Sequence, residues 1–272
     1  MTNHLPTHQL YRPMQIAIRP GDYPGILYRE YPPAMALQKY VYCYFMLKTT
    51  PQNNGPFLYR IMADGCVDLF LNCLNDEPLT LAGLVDKVNY IPINKEAEYF
   101  GIRFFPGCIH YFFQVSAKEI ANQAIPCDDI FNDRFKSIED RLKLTDTMDN
   151  RIKIANAALS GFLKTSKSQP DHRLLNALDI IYKKNGRVSI KKDVSAGINT
   201  RRLRRIFDHY IGISPKKFSK IVRFQSVLNH VASNYSTISK GAYLDFGYFD
   251  QSHFIHEFKS LSGNTPNSFT KH

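Results

Sequence analysis

The chain has 272 residues, 44% of them apolar and 22% charged, with 35 Lys and Arg against 24 Asp and Glu for a formal net charge of +11. At ~150 residues per domain that length fits about two domains, and the composition is that of a globular chain with a sizeable core rather than a disordered or fibrous one. No stretch approaches the ~18 uncharged apolar residues of a membrane span, and the opening residues lack the apolar run of a secretory signal.

The first half reads as β structure followed by helix. Tyr40–Leu47, Cys66–Asn72 and Tyr99–Phe105 are short, rich in aromatic and β-branched residues, and separated by Gly, Pro and Asn. That spacing predicts antiparallel strands of a sandwich or barrel. After Phe113 the pattern changes: Ser116-x-x-Glu119 has the form of a capping box, and Ile152, Ala155, Leu159, Phe162 and Leu163 recur with a helical period. The polar stretch Lys164–Pro170 is the expected linker.

Charge divides at the same place. Residues 1–165 hold 17 basic and 17 acidic residues, while residues 166–272 hold 18 and 7, so the whole excess lies in the last part. A neutral two-thirds joined to a basic third suggests that the basic part meets a polyanion. Cys43, Cys66, Cys73, Cys108 and Cys127 all fall in the neutral part, odd in number and without a Cys-x-x-Cys spacing. They are expected to be reduced core thiols of a cytoplasmic protein, with no disulfide framework and no metal or other cofactor.

From residue 171 the chain reads as helix throughout. Leu174, Leu175, Leu178, Ile181 and Tyr182 form one stripe, which Asn185-Gly186 should end. Ser189 can cap a short helix reaching Ala196, and Gly197 supplies a sharp turn. Asn199 then caps a helix to about Tyr210, and Ser214-Pro215 opens a long helix to about Ser233. A helix, a short glycine-containing turn and a second helix are the parts of a helix-turn-helix. Shifting the sequence by 51 residues brings the same marks round again: Asn199 meets Asp250, Leu203 meets Phe254, Phe207 meets Phe258, and Gly212 meets Gly263. Ser214 meets Thr265, Pro215 meets Pro266, and Phe218 meets Phe269. Two copies at one offset argue for a duplicated unit.

The outward faces of the two repeated helices differ. The first presents Thr200, Arg201, Arg202, Arg204 and Arg205, and Lys216, Lys217, Lys220 and Arg223 follow, against the single acid Asp208. Such a density suits phosphate neutralisation, and Arg can also grip guanine bidentately. The second presents Gln251, Ser252, His253 and His256 beside Ile255. Gln suits adenine, and Ser and His suit base edges or phosphates.

Leu203-Arg-Arg-Ile-Phe207, Gly212-Ile-Ser-Pro215, Gly247-Tyr-Phe-Asp-Gln-Ser-His-Phe254 and Gly263-Asn-Thr-Pro266 together resemble the C-terminal DNA-binding domain of AraC-type transcription regulators. The resemblance implies an α+β protein: a β-rich domain, cupin-like or a sandwich, with trailing helices over 1–165, then an all-α domain over 166–272. The latter holds two helix-turn-helix units joined by a long helix, reading successive major-groove segments about one helical turn (~34 Å) apart. By position, base readout falls to Arg201, Arg204 and Arg205 in the first unit and to Gln251, Ser252, His253 and His256 in the second. Thr200, Lys216, Lys217 and Lys220 complete the expected DNA-binding set, with phosphate contacts from the Lys216–Arg223 cluster. The implied partners are double-stranded DNA, RNA polymerase at a bacterial promoter, a small-molecule effector and a second copy of the chain, with no membrane. Such a protein works in the cytoplasm, as an activator or a repressor, and joins the nucleoid when bound.

Two departures qualify the second unit. The family commonly has Arg where this chain has His256, which predicts a weaker or pH-dependent contact. In Lys240–Phe246, Tyr243 replaces a small residue and Gly241 weakens the helix. The first part resembles a sensor-like domain found ahead of this module, through Tyr28–Pro33, Met62–Phe70, Gly101–Phe104 and Ser116–Glu119. His110 has no His-x-His partner for a cupin metal site and reads as a satisfied or exposed side chain. No hydrolase, nucleotide-binding or zinc-protease motif is present, and Asp64, Cys66 and Asp68 read as a turn and strand rather than a catalytic group, so no enzyme is expected. The alternative is a small-molecule or protein-binding module whose basic end binds nucleic acid only loosely.

Overall fold

The aromatic, β-branched segments of the first half pair as antiparallel strands, and the helical periods of the second half form the helices that pack beneath them. A computed structural model describes residues 10–15, 25–50, 57–93, 96–166, 171–195, 197–234 and 243–266. Phe269, Ala196, Lys240, Gly241 and most of the expected linker (167–170) lie outside the described residues.

Among the described residues, eight strands run β1 (Ile26–Tyr31), β2 (Val41–Thr49), β3 (Phe57–Ile61), β4 (Val67–Asn72), β5 (Thr80–Ala82), β6 (Asn89–Ile93), β7 (Glu98–Phe104) and β8 (Ala124–Pro126). Six form one sheet in the order β1-β2-β7-β4-β5-β8, and β3 pairs with β6 in a second. Every pairing is antiparallel. The small sheet covers one face of the large one through Leu47, Tyr59, Ile93 and Ala97. The other face carries Tyr44, Leu69, Phe100, Ile102 and Phe104 into a core with Phe113, Phe135 and Leu159. Because both faces of central strand β7 are covered, it has no solvent-facing register.

The helix α1 (Ala117–Ile120) precedes β8, and α2 (Cys127–Phe131), α3 (Lys136–Lys143) and α4 (Met148–Thr165) come after it. Thr147 caps α4 by accepting from the Asn150 amide. Buried Arg151 pins α4 to β7 through Glu98, at 2.5 Å. The expected capping box at Ser116 does not form: the Ser116 side chain makes no cap bond. Only one turn of helix exists there, because Ala121, at ψ 131°, leaves the helical region, and with Asn122 at a left-handed φ of 60° the chain turns into β8.

The remaining helices are α5 (His172–Lys183), α6 (Thr200–Tyr210), α7 (Pro215–Asn234) and α8 (Gln251–Ser262). Asn185 and Gly186, at φ 50° and 71°, end the first of them as expected. Ser189 caps Ile190–Val194, but the turn is π rather than α: the Ser195 amide donates to the Ile190 carbonyl five residues back, at 2.8 Å.

The two parts share an apolar seam. Tyr11, Met62, Ala63 and Leu84 belong to the same core as Leu174, Phe207, Phe218, Phe224 and Phe258. Residues 11–15 run along this seam. The Tyr11 hydroxyl donates to the Asp64 carbonyl at 2.5 Å, and its ring stacks on Tyr182. The Gln15 side chain donates to the Met62 carbonyl and to an Asp64 carboxylate oxygen, both at 2.8 Å. From the other side, Gln225 of α7 accepts from the Met14 amide and donates to the Ala63 carbonyl.

Candidate nucleic-acid interface

An N-cap, a buried i, i+4 pair and a glycine stop build each of the two repeated helices. In α6 the Asn199 side chain accepts from the Arg201 amide at 2.8 Å, which satisfies one of the free amides at a helix start. Leu203, Ile206 and Phe207 are buried, so Thr200, Arg201, Arg202, Arg204 and Arg205 face solvent. The turn after α6 uses Gly212 at φ +93°, where a Cβ would stand 2.6 Å from the Ala117 carbonyl oxygen of α1. Ser214 then caps α7 by accepting from the Lys217 amide at 3.3 Å.

The second helix repeats this construction. Asp250 accepts from the His253 amide at 2.7 Å, Phe254 and Phe258 are buried, and Gly263 closes α8 at φ +84°. Gln251, Ser252, His253, Ile255 and His256 are exposed. Phe249, immediately before the cap, is 89% exposed. Nothing in the sequence marks Phe249 as exposed, since strand-like and helical aromatics usually mark core; its place in the turn before the Asp250 N-cap is what sends it outward.

The basic run at the start of α7 divides. Lys216 is exposed. Lys217 pairs with Asp86, in the loop after β5. Lys220 and Arg223 both pair with buried Glu257 of α8, at 2.9 and 2.6 Å. Arg223 also lies 4.0 Å over the Tyr248 ring and donates to the Gly247 carbonyl. Burial opposes the charge on Glu257, and the Lys220 and Arg223 contacts outweigh it, holding its pKa below the ordinary carboxylate value. His253 approaches the same carboxylate at 3.7 Å. Part of the expected phosphate-binding cluster thus fastens α7 to α8. Tyr243, half-buried, stacks on Phe254 with ring centroids 6.5 Å apart.

His110 is neither exposed nor fully satisfied. It is buried against His209 and Tyr210 of α6, and its Nε2 has no hydrogen-bond partner among the described residues. Its isolation in the sequence hid this because both partners lie about a hundred positions away.

The β-rich part encloses a cavity of about 110 Å³ between its two sheets, lined in part by Gln15, Asp64, Cys66, Asp68 and Arg103. Arg103 grips Asp68 with two hydrogen bonds of 2.9 and 2.6 Å. Burial and the Asp64 charge push the Cys66 thiol up. None of the five cysteines is joined in a disulfide. Among the described residues, no cluster of three or more His, Cys, Asp or Glu is placed to hold a metal, and no helix is long and apolar enough to cross a membrane.

Capped, glycine-closed helices with exposed polar faces at either end of a joining helix define a helix-turn-helix DNA-binding domain behind an antiparallel β domain. Residues 194–272 match a helix-turn-helix domain family and are of the AraC type, and residues 29–126 match a domain of unknown function (DUF6597). This is the make-up of a DNA-binding transcription regulator. Solved structures of ToxT from Vibrio cholerae are similar. An apo variant from strain SCE256 aligns at TM-score 0.42 and 12% identity, over 91% of this chain and 97% of that one. A second crystal form aligns at 0.41 and 11%, over 90% and 97%. ToxT from strain O395 aligns at 0.38 and 12%, over 80% and 88%. No curated protein matches the chain.

Proposed function

We propose that the protein is a one-component, sequence-specific regulator whose α6 and α8 read a bipartite site in two successive major-groove segments. The observation that carries this reading is the exposed arginine face of α6, held by an Asn199 cap on one side and a buried Leu203–Phe207 stripe on the other. Arg201, Arg204 and Arg205 supply most base readout, because a guanidinium matches the paired acceptors of guanine. Gln251, Ser252, His253 and His256 refine the choice of site, and Thr200, Lys216 and the α6 start contribute phosphate contacts. Lys217 and Lys220 contribute less to DNA than their charge suggests, since carboxylates already engage them.

In this reading residues 166–272 form the DNA-binding domain, and residues 1–165 form the sensing or dimerising part. A small effector would occupy the cavity beside Arg103 and act through the seam at residues 11–15. A catalytic role for Cys66 is disfavoured: a nucleophilic thiol needs a lowered pKa, and this one is raised.

Binding-site selection with the full-length protein and random duplexes tests the reading. Enrichment of one bipartite site with a one-turn spacing is expected. No enriched sequence, with only weak salt-sensitive association, would instead favour a small-molecule or protein-binding module with a loosely binding basic end.

A further inference from the structure

Between α1 and α6 lies an open cleft of about 1030 Å³, walled by Lys118 on one side and by Arg201, Arg202, Arg205 and His209 on the other, with Asp208 its one acid. Lys118 belongs to the β-rich part, is exposed, and makes no ion pair among the described residues. Its place is fixed. The close approach of Gly212 to the Ala117 carbonyl, and the burial of Ala117 and Ile120, lock α1 to the end of α6.

Two cationic walls facing one another across water repel, and only an intervening anion turns that repulsion into attraction. The shape of α6 says which anion. At 3.6 residues per turn, Arg202, Arg205 and His209 share the flank that faces α1, while Thr200 and Arg204 lie on the opposite flank. A helix seated in a major groove has a sugar-phosphate backbone along each flank. The cleft is open along its length, and Lys118, Arg201, Arg202 and Arg205 line it, which suits an extended polyanion better than a single small ion.

We infer that Lys118 contacts a DNA phosphate on the strand that passes between α1 and α6, so that the β-rich part completes the DNA-binding surface of the first reading helix. This rests on α6 entering the major groove. The cleft then holds one strand by both walls, with Arg202 on the helix side and Lys118 opposite.

The test uses full-length protein, the duplex enriched by site selection, and fluorescence anisotropy over a salt series. Lys118→Gln should lower the slope of log K against log salt by about 0.9, the value for one phosphate contact. It should weaken binding by a similar factor on all duplexes. Lys118→Glu should weaken it further. Lys136→Gln, an exposed change on α3, should leave the slope unaltered, and melting temperatures should confirm that all three variants fold. Wild-type slopes in both Lys118 variants would overturn the inference. So would tighter binding by Lys118→Glu, which would make α1 an obstruction. A wild-type chain that binds no duplex would sink the major-groove reading itself and this inference with it, whereas wild-type binding with an unchanged Lys118→Gln slope sinks only the latter.

Discussion

The imidazole of His110, just after β7, lies 5.0 Å from that of His209 on α6. Burial, and the neighbouring His209, lower the pKa of His110 from 6.5 to about 4. The docked state therefore excludes a proton that the unfolded chain takes up near pH 6.5. Stability should be level above that pH and fall as the pH drops from about 6.5 towards 4, by on the order of 3 kcal/mol in all. Thermal unfolding across this range checks the expectation. His110→Phe, of similar shape and without a titrating proton, should flatten the slope, and an unchanged slope in that variant would assign it elsewhere.

Glu257 should act in a lower window. Its pKa is depressed in the folded chain, so its contribution is present above the ordinary carboxylate value of about 4.3 and is lost as pH falls through the folded value. Glu257→Gln leaves Lys220 and Arg223 without their shared carboxylate. Breaking such a buried arrangement costs about 3 kcal/mol, measurable by denaturant unfolding at pH 7. The second half-site should suffer more than the first, because the joint that fails is the one between α7 and α8.

Arg204 and Lys216 should separate by type of effect. Arg204→Ala is expected to relax preference at one base pair by ~1–3 kcal/mol. Lys216→Gln should weaken all duplexes alike and lower the salt slope by about 0.9. Competition binding with single-base variants of the selected site distinguishes the two, and a uniform loss for Arg204→Ala would make that residue a phosphate contact. Lys220→Gln, by contrast, should register chiefly in stability.

Two glycines predict opposite signs. Gly212→Ala meets a φ of +93° and a backbone oxygen 2.6 Å away. The dihedral alone costs ~1–3 kcal/mol, and the Ala117 carbonyl cannot give way as a side chain would. Gly161, inside α4, has nothing within 4 Å of its missing Cβ. Alanine there should stabilise by ~0.5–1 kcal/mol. Paired melting curves read both.

What was legible in the sequence was what is local. Asn199, Ser214 and Asp250 cap their helices as their spacing predicts, because the bond each makes spans two or three residues. β2, β4 and β7 fall within a residue or two of the aromatic segments. The Ser116 box failed because the chain turns one residue after Ile120, and nothing in the motif announces Asn122. Partnerships across the fold were hidden: Lys217 with Asp86, Lys220 and Arg223 with Glu257, His110 with His209, and Lys118 opposite Arg202. Charge counting treated Lys216 to Arg223 as one cluster, whereas packing assigns its members to different tasks.

Near its end α8 is joined to the β-rich part by main-chain bonds: the Ala63 amide donates to the Leu261 carbonyl at 3.1 Å, and the Val88 amide to the Ser260 carbonyl at 3.0 Å. Main-chain bonds persist through most side-chain replacements, so this joint tolerates sequence drift while demanding backbone shape. A chimera that moves the last third onto an unrelated front part forfeits both bonds and bares Phe218 and Leu261. Swaps between chains with the same β domain should retain a working second reading helix even where few seam residues agree.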